Sequence, residues 1–196
     1  MTQPWHVLVI AGASGTGKTE ASLALAARHG VSVTRLDDVS IAVRRMTTPE
    51  HQPALHYWWT HPEAGEWPAE RILDLTLAFG EAMAPALEAV LADRLDEPLG
   101  AVMEGDWVLP AMAALPALAG AVANGRLRFV FLHEPDEQQL RENLSRREPG
   151  HDHTKRARVS WLYGRWLAEE ARRHGLTALS VRPWETQLER IAAAIG

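Results

Sequence analysis

Gly12-Ala13-Ser14-Gly15-Thr16-Gly17-Lys18-Thr19 is a complete G-x-x-x-x-G-K-[ST] element. Glycines at these offsets let successive backbone N–H groups point into one concavity, where they and a helix N-terminus can hold phosphate oxygens. The pattern has Lys18 reach the β- and γ-phosphates of a nucleotide and Thr19 place its hydroxyl on Mg2+. A bare strand-to-helix turn has no need of a lysine at that offset, so all eight residues are expected to bind nucleotide phosphate.

The flanks agree with that expectation. Val7-Leu8-Val9-Ile10-Ala11 is a continuous apolar run, as in a strand buried on both faces. Val31–Thr34, Ala101–Met103, Leu127–Leu132 and Thr177–Val181 are further strand candidates. Helical patterns lie between them: Glu20–His29 closing at Gly30, a long stripe from Pro68 through Ile72, Leu75, Phe79, Met83, Leu87 and Val90, then Glu137–Arg147, Lys155–His174 and Glu185–Ile195. Pro85 interrupts the long stripe and is expected to kink or split it. The alternation predicts an α/β fold of the P-loop NTPase kind. It is a three-layer sandwich with about five parallel strands, helices on both faces and a helical lid. Residues 1–196 read as a single P-loop kinase domain with no repeat or linker.

Composition narrows the class. The 196 residues are 46% hydrophobic and 23% charged, ordinary for a globular domain, and contain no cysteine, which excludes thiolate chemistry and Cys-ligated metals. The net charge of −5 argues against a nucleic-acid partner. Met1–Trp5 has no basic region, and the apolar stretch Ala111–Ala123 is broken by Pro116 and Gly120, so neither a targeting segment nor a membrane partner is expected. The expectation is a cytoplasmic monomer or homodimer. The only lysines are Lys18 and Lys155, so the guanine-reading N-K-x-D element is missing, as is the L-S-G-G-Q segment of ABC ATPases. Small kinases and phosphotransferases remain.

Acids at strand ends are candidates for the chemistry, because ligands of open α/β sheets bind there. Asp37-Asp38 follow the second strand, and either can orient an acceptor hydroxyl or take its proton; alternatively one of them caps the next helix. Glu104 ends the third strand, where a carboxylate can hold Mg2+ or contact substrate; Asp106 beside it reads equally well as a solvated loop acid. Residues 141–158 carry Arg141, Arg146, Arg147, Lys155, Arg156 and Arg158 against Glu142, Glu148 and Asp152, a net of +3. The break at Glu148-Pro149-Gly150 suits a lid that brings guanidinium groups, Arg146 and Arg147 foremost, onto charge developing in transfer. His151-Asp152-His153 reads as plain lid residues rather than a metal site. The cluster His51, His56, Tyr57, Trp58, Trp59 and His61 reads as an acceptor pocket or an aromatic cap, while Trp5, Trp161, Trp166 and Trp184 read as packing.

Several of these segments together resemble the 2-phosphoglycerate kinase family of P-loop kinases. Asp37 through Arg44, Pro49-Glu50-His51-Gln52-Pro53-Ala54-Leu55-His56 and Glu104-Gly105-Asp106-Trp107-Val108-Leu109-Pro110 are similar to three of its characteristic segments. The resemblance implies ATP–Mg2+ as donor. Around the acceptor the candidate residues of this sequence are Asp37, Arg44, His56, Trp59, Glu104 and Trp107, and in the basic lid Arg141, Arg156 and Arg158. The chain departs from the pattern at Ser40, where a second arginine is expected, and at Trp58, Trp59 and Trp107, where smaller or polar residues are. Those changes suit a larger or more apolar acceptor than a small dianion.

The leading expectation is therefore ATP-dependent phosphorylation of a small-molecule hydroxyl. A nucleoside or nucleotide kinase, or an antibiotic phosphotransferase, is the alternative on the same scaffold. A nucleotide-binding regulatory protein with little turnover is the alternative of another class.

Overall fold

The apolar run at Val7 forms the central strand of a sheet. In the computed structural model, which describes residues 4–196, β1 (Val7–Gly12) is buried along its whole length. Met1–Gln3, part of the stretch read for a targeting segment, lie outside the described residues. β3 (Ala101–Gly105) and β4 (Leu127–His133) flank β1, with β2 (Ser32–Arg35) and β5 (Thr177–Ser180) at the edges, in the order β2-β3-β1-β4-β5. Every pairing is parallel. The three inner strands are unbroken apolar runs because helices cover both of their faces, whereas the edge strands β2 and β5 are more exposed and more polar.

Side chains of β1 alternate between two cores. Val7, Val9 and Ala11 pack with Phe79, Met83 and Leu87 of α4 (Ala69–Asp96) and with Tyr163 and Leu167 of α7 (Thr154–Arg173). Leu8 and Ile10 pack with Leu25 of α1 (Lys18–His29) and with Ile191 and Ile195 of α8 (Gln187–Ile195). The result is the three-layer α/β sandwich of P-loop proteins, with all five expected strands in place.

Pro85 does not split its helix. α4 runs unbroken for 28 residues with Pro85 inside. A proline there costs about 3 kcal/mol through the lost N–H and ring clash. Met83, Leu87, Leu91 and Leu95 are fully or nearly buried around it, each contributing roughly 1.5–3 kcal/mol, and this offsets the defect. By length and composition α4 could cross a membrane, but its apolar stripe is spent on the core. The remaining helices are α2 (Leu36–Met46), α3 (Pro53–Thr60), the short α5 (Ala119–Ala123) and α6 (Glu137–Arg147). α6 and α7 are separated at 148–153, where the lid break was expected.

Candidate active site

The glycine-rich loop leaves β1 and enters α1 at the C-terminal edge of the sheet. Gly17, the residue before α1, has φ 75°, a conformation natural to glycine, and a Cβ there would collide with the ring of Trp184. Trp184, read from sequence only as packing, therefore covers this end of the loop. Lys18 is buried; its Nζ donates to the Ala13 carbonyl at 3.1 Å and lies 2.5 Å from Asp106 Oδ1.

β3 delivers Glu104 beside the start of α1, because parallel register sets Glu104 against Ile10, two residues before the loop. The Thr19 hydroxyl donates to Glu104 Oε1 at 3.1 Å, and Glu104 is only 2% exposed. The Arg35 guanidinium also lies 3.4 Å from the same oxygen. A buried carboxylate beside a hydroxyl is a donor set that suits Mg2+, whose remaining positions are ordinarily filled by water and phosphate oxygens, once the exposed Arg35 gives way. Among the described residues no cluster of three or more His, Cys, Asp or Glu could hold a metal without such help. The two residues expected at the metal are thus in contact.

Asp37 and Asp38 both lie in the first turn of α2, where carboxylates are favoured by the helix dipole, but neither caps it: Arg35 holds the position before the helix. Asp38 is exposed. Asp37 turns inward, and its Oδ1 accepts the backbone N–H of Asp106 at 3.0 Å. Gly105 permits that approach, since a Cβ there would sit 2.9 Å from Leu36 Cβ and 3.2 Å from Asp37 Oδ1. Burial, reinforced by the neighbouring Asp106 charge, raises the Asp37 carboxyl from 3.8 to about 6, although the Asp106 amide and Lys18 pull the other way. Tyr163 of α7 donates to the Asp106 carbonyl at 2.6 Å, and burial holds its phenol well above its ordinary range, so it stays a donor. Asp106 and Tyr163 were missed as site residues. The signal for Asp106 was its place directly after Glu104-Gly105; nothing local marked Tyr163.

A cavity of about 500 Å3 opens beside this cluster, lined by Ser14, Asp106, Trp58, Ile72, Trp107 and Val159 among others. Trp107 lines this cavity, its ring 4.2 Å from that of Phe79.

The basic segment expected as a lid lies against the loop. Arg147 and Arg156 both donate to Ser14 Oγ, at 3.3 and 3.2 Å, and both are held by Glu148 at 2.8 and 2.7 Å. Asn143 donates to the Gly15 carbonyl at 3.0 Å, fixing α6 to the same loop. Glu148 and Asn143 carry no signal short of the folded geometry.

Other expected site residues fall elsewhere. Arg146 is exposed, with no side-chain hydrogen bond or ion pair among the described residues. Arg158 pairs with Glu137 at 2.9 Å and Glu70 at 3.5 Å, which makes it a strut joining α7 to α6 and α4. Arg141 is exposed beside Thr154 and Gln138, away from the loop. Arg44 stacks on Trp59, 3.6 Å from the ring centroid, and Trp59 is 57% exposed, so this pair lies outside the cavity; Trp58, one residue earlier, faces it. His56 Nε2 lies 3.0 Å from Thr47 Oγ1 and clips α3 to the end of α2. Helical phase explains both misplacements, because adjacent residues of α3 point about 100° apart.

The isopentenyl transferase family model matches residues 5–49, the stretch from β1 through α2. No curated protein matches the sequence. Among solved structures, a gluconokinase from Sinorhizobium meliloti 1021 is similar over 100% of this chain and 93% of its own, at 18% identity and TM-score 0.56. A shikimate kinase from Bacteroides thetaiotaomicron covers 95% of this chain and 96% of its own, at 16% identity and TM-score 0.53. A shikimate kinase from Acinetobacter baumannii in complex with shikimate covers 97% and 90%, at 14% identity and TM-score 0.51. At these identities the likeness is one of fold, and the fold of this chain is that of the P-loop kinases.

Proposed function

We propose that this chain is an ATP- and Mg2+-dependent phosphotransferase that moves the γ-phosphoryl group onto a hydroxyl of a small molecule. One observation carries the reading: Lys18, the Thr19–Glu104 contact and the Asp37–Asp106 pair converge at one sheet edge, beside a cavity of about 500 Å3. The amides of residues 12–19 bind the donor phosphates, and Lys18 exchanges Asp106 for the β- and γ-oxygens. Thr19 and Glu104 would hold Mg2+, which would supply neutralisation of phosphate charge.

The acceptor oxygen forms a bond to the γ-phosphorus while the bond to the β,γ-bridging oxygen breaks, and ADP leaves. The hydroxyl proton passes to a carboxylate at the cavity edge. Asp37 fits that role, with a carboxyl raised to about 6 and so close enough to neutrality to serve as a base while remaining mostly ionised. Arg147 and Arg156, already on Ser14, stabilise charge on the group in flight and keep water out.

The 2-phosphoglycerate-like acceptor implied by resemblance has less support than this general reading. Trp58 and Trp107 in the cavity wall favour the alternative of a nucleoside or an antibiotic as acceptor. The test is ADP release from ATP–Mg2+ with pooled hydroxyl acceptors, including 2-phosphoglycerate, nucleosides, sugars and antibiotics. Acceptor-dependent release supports the proposal. ATP binding without it, across every pool, supports a nucleotide-binding regulator instead.

A further inference from the structure

Four charged side chains line the cavity, and each is already paired within the protein. Lys155 donates to the Gly65 carbonyl at 2.5 Å and lies 3.8 Å from Glu66. Arg156 is held by Glu148 and Ser14, Asp106 by Lys18, and Asp152 by the amide and hydroxyl of Thr154 at 2.9 and 2.7 Å. Two cations and two anions leave no net charge. An anionic acceptor needs a guanidinium or ammonium free to meet it, because an unpaired charge taken from water is costly. Among the described residues none is left over on the cavity wall once Lys18 and Arg156, which turn to the loop at Ala13 and Ser14, are given to the donor phosphates: Lys155 is held at Gly65, Ser40 is buried and spends its hydroxyl on the Asp37 carbonyl at 2.7 Å, and Arg44 lies on Trp59.

The other walls are Trp58, Trp107, Ile72 and Val159, and Phe79 backs the Trp107 ring. A rigid, backed indole favours stacking of a second flat ring. The volume, about 500 Å3, lies in the usual small-molecule range of roughly 300–1,000 Å3.

We propose that the acceptor is an uncharged molecule with a flat aromatic body, seated against Trp58 and Trp107, with its reacting hydroxyl at the Asp106 end. This rests on the phosphotransferase reading for the role of the cavity, but its test is made by binding alone. The full chain, with Mg2+ and a non-hydrolysable ATP analogue, is titrated calorimetrically with two probe sets. One set holds uncharged aromatic alcohols (thymidine, a phenicol, 4-hydroxyphenylethanol); the other holds anions (2-phosphoglycerate, shikimate, gluconate). The expected result is an aromatic alcohol binding at least tenfold tighter than every anion, weakened tenfold or more by Trp107→Ala. Because Trp107 also packs on Phe79, Val159→Arg serves as the second variant: placing a free cation in the wall, it should weaken the aromatic probe and strengthen the anions. An anion binding tightest, no aromatic alcohol binding below millimolar, or indifference to both variants would overturn the proposal. Tight aromatic binding with no phosphoryl transfer would sink the phosphotransferase reading and leave the cavity a site for an uncharged aromatic ligand; transfer to an anion would sink this proposal and keep that reading.

Discussion

The Lys18 ammonium lies 2.5 Å from the carboxylate of Asp106, and the same Asp106 borders the cavity of about 500 Å3. One acid thus touches the lysine of the glycine-rich loop and the space beside it, while its amide holds Asp37. On the proposed function, phosphate oxygens that claim Lys18 would free Asp106 toward the cavity, which would link donor and acceptor binding through one ion pair.

Asp37 must be ionised to take a proton, so kcat/KM should rise with pH through about 6. The Asp106 charge is one cause of that raised value. Asp106→Asn should therefore move the acid limb to lower pH, measured from about pH 4.5 to 8 with saturating ATP–Mg2+. An unmoved limb would mean that Asp37 does not govern it.

The same carboxyl costs stability. Folded, Asp37 keeps its proton up to about pH 6; unfolded, it gives it up near 3.8. Between these values the folded chain holds more protons, so this group makes stability fall as pH rises from about 4 to 6. Asp37→Asn can still accept the Asp106 N–H. It should stabilise the protein above pH 6 by on the order of 1–3 kcal/mol, with no gain below about pH 4. Denaturant melts at the two pH values check this.

The lid arginines separate by geometry. Arg147→Ala or Arg156→Ala should slow transfer about 10³-fold, in the range of arginines that stabilise transferring phosphoryl groups. Arg146→Ala should stay within about twofold, because Arg146 is exposed and unpaired among the described residues. Arg158→Ala should lower thermal stability only slightly with little change in rate, as its ion pairs are exposed to solvent. Single-turnover rates and thermal melts distinguish the three behaviours.

Thr19→Val and Glu104→Gln should each raise the Mg2+ concentration needed for half-maximal activity by about tenfold or more, while Thr19→Ser keeps the hydroxyl and the wild-type requirement. Chelation by EDTA should abolish turnover. A Mg2+ titration unchanged in both variants would remove this pair from the metal site.

The sheet was legible because its signals are local. β1 announces itself by an apolar run, Gly30 ends α1 as expected, and the loop motif carries its own geometry. Candidates near the loop were legible because they sit on or just after its motif and the strands: Lys18 and Thr19 open α1, Asp37 lies in the first turn of α2 and Glu104 in β3. The lid and acceptor residues depended on helical phase and long-range contact. Arg146 and Arg147 are neighbours in sequence, yet only Arg147 reaches Ser14; Trp58 and Trp59 are neighbours, yet only Trp58 faces the cavity. Pro85 misled because propensity is a local cost, whereas the burial that overrides it involves residues far away in the chain.

The most direct test of the phosphotransferase reading follows the γ-phosphorus. ATP labelled at that position is incubated with Mg2+, the acceptor pools and either wild-type protein or Lys18→Ala. The account predicts label in an organic phosphate ester with wild type and none with Lys18→Ala. Label released only as inorganic phosphate, or ester formed equally by the variant, would contradict it.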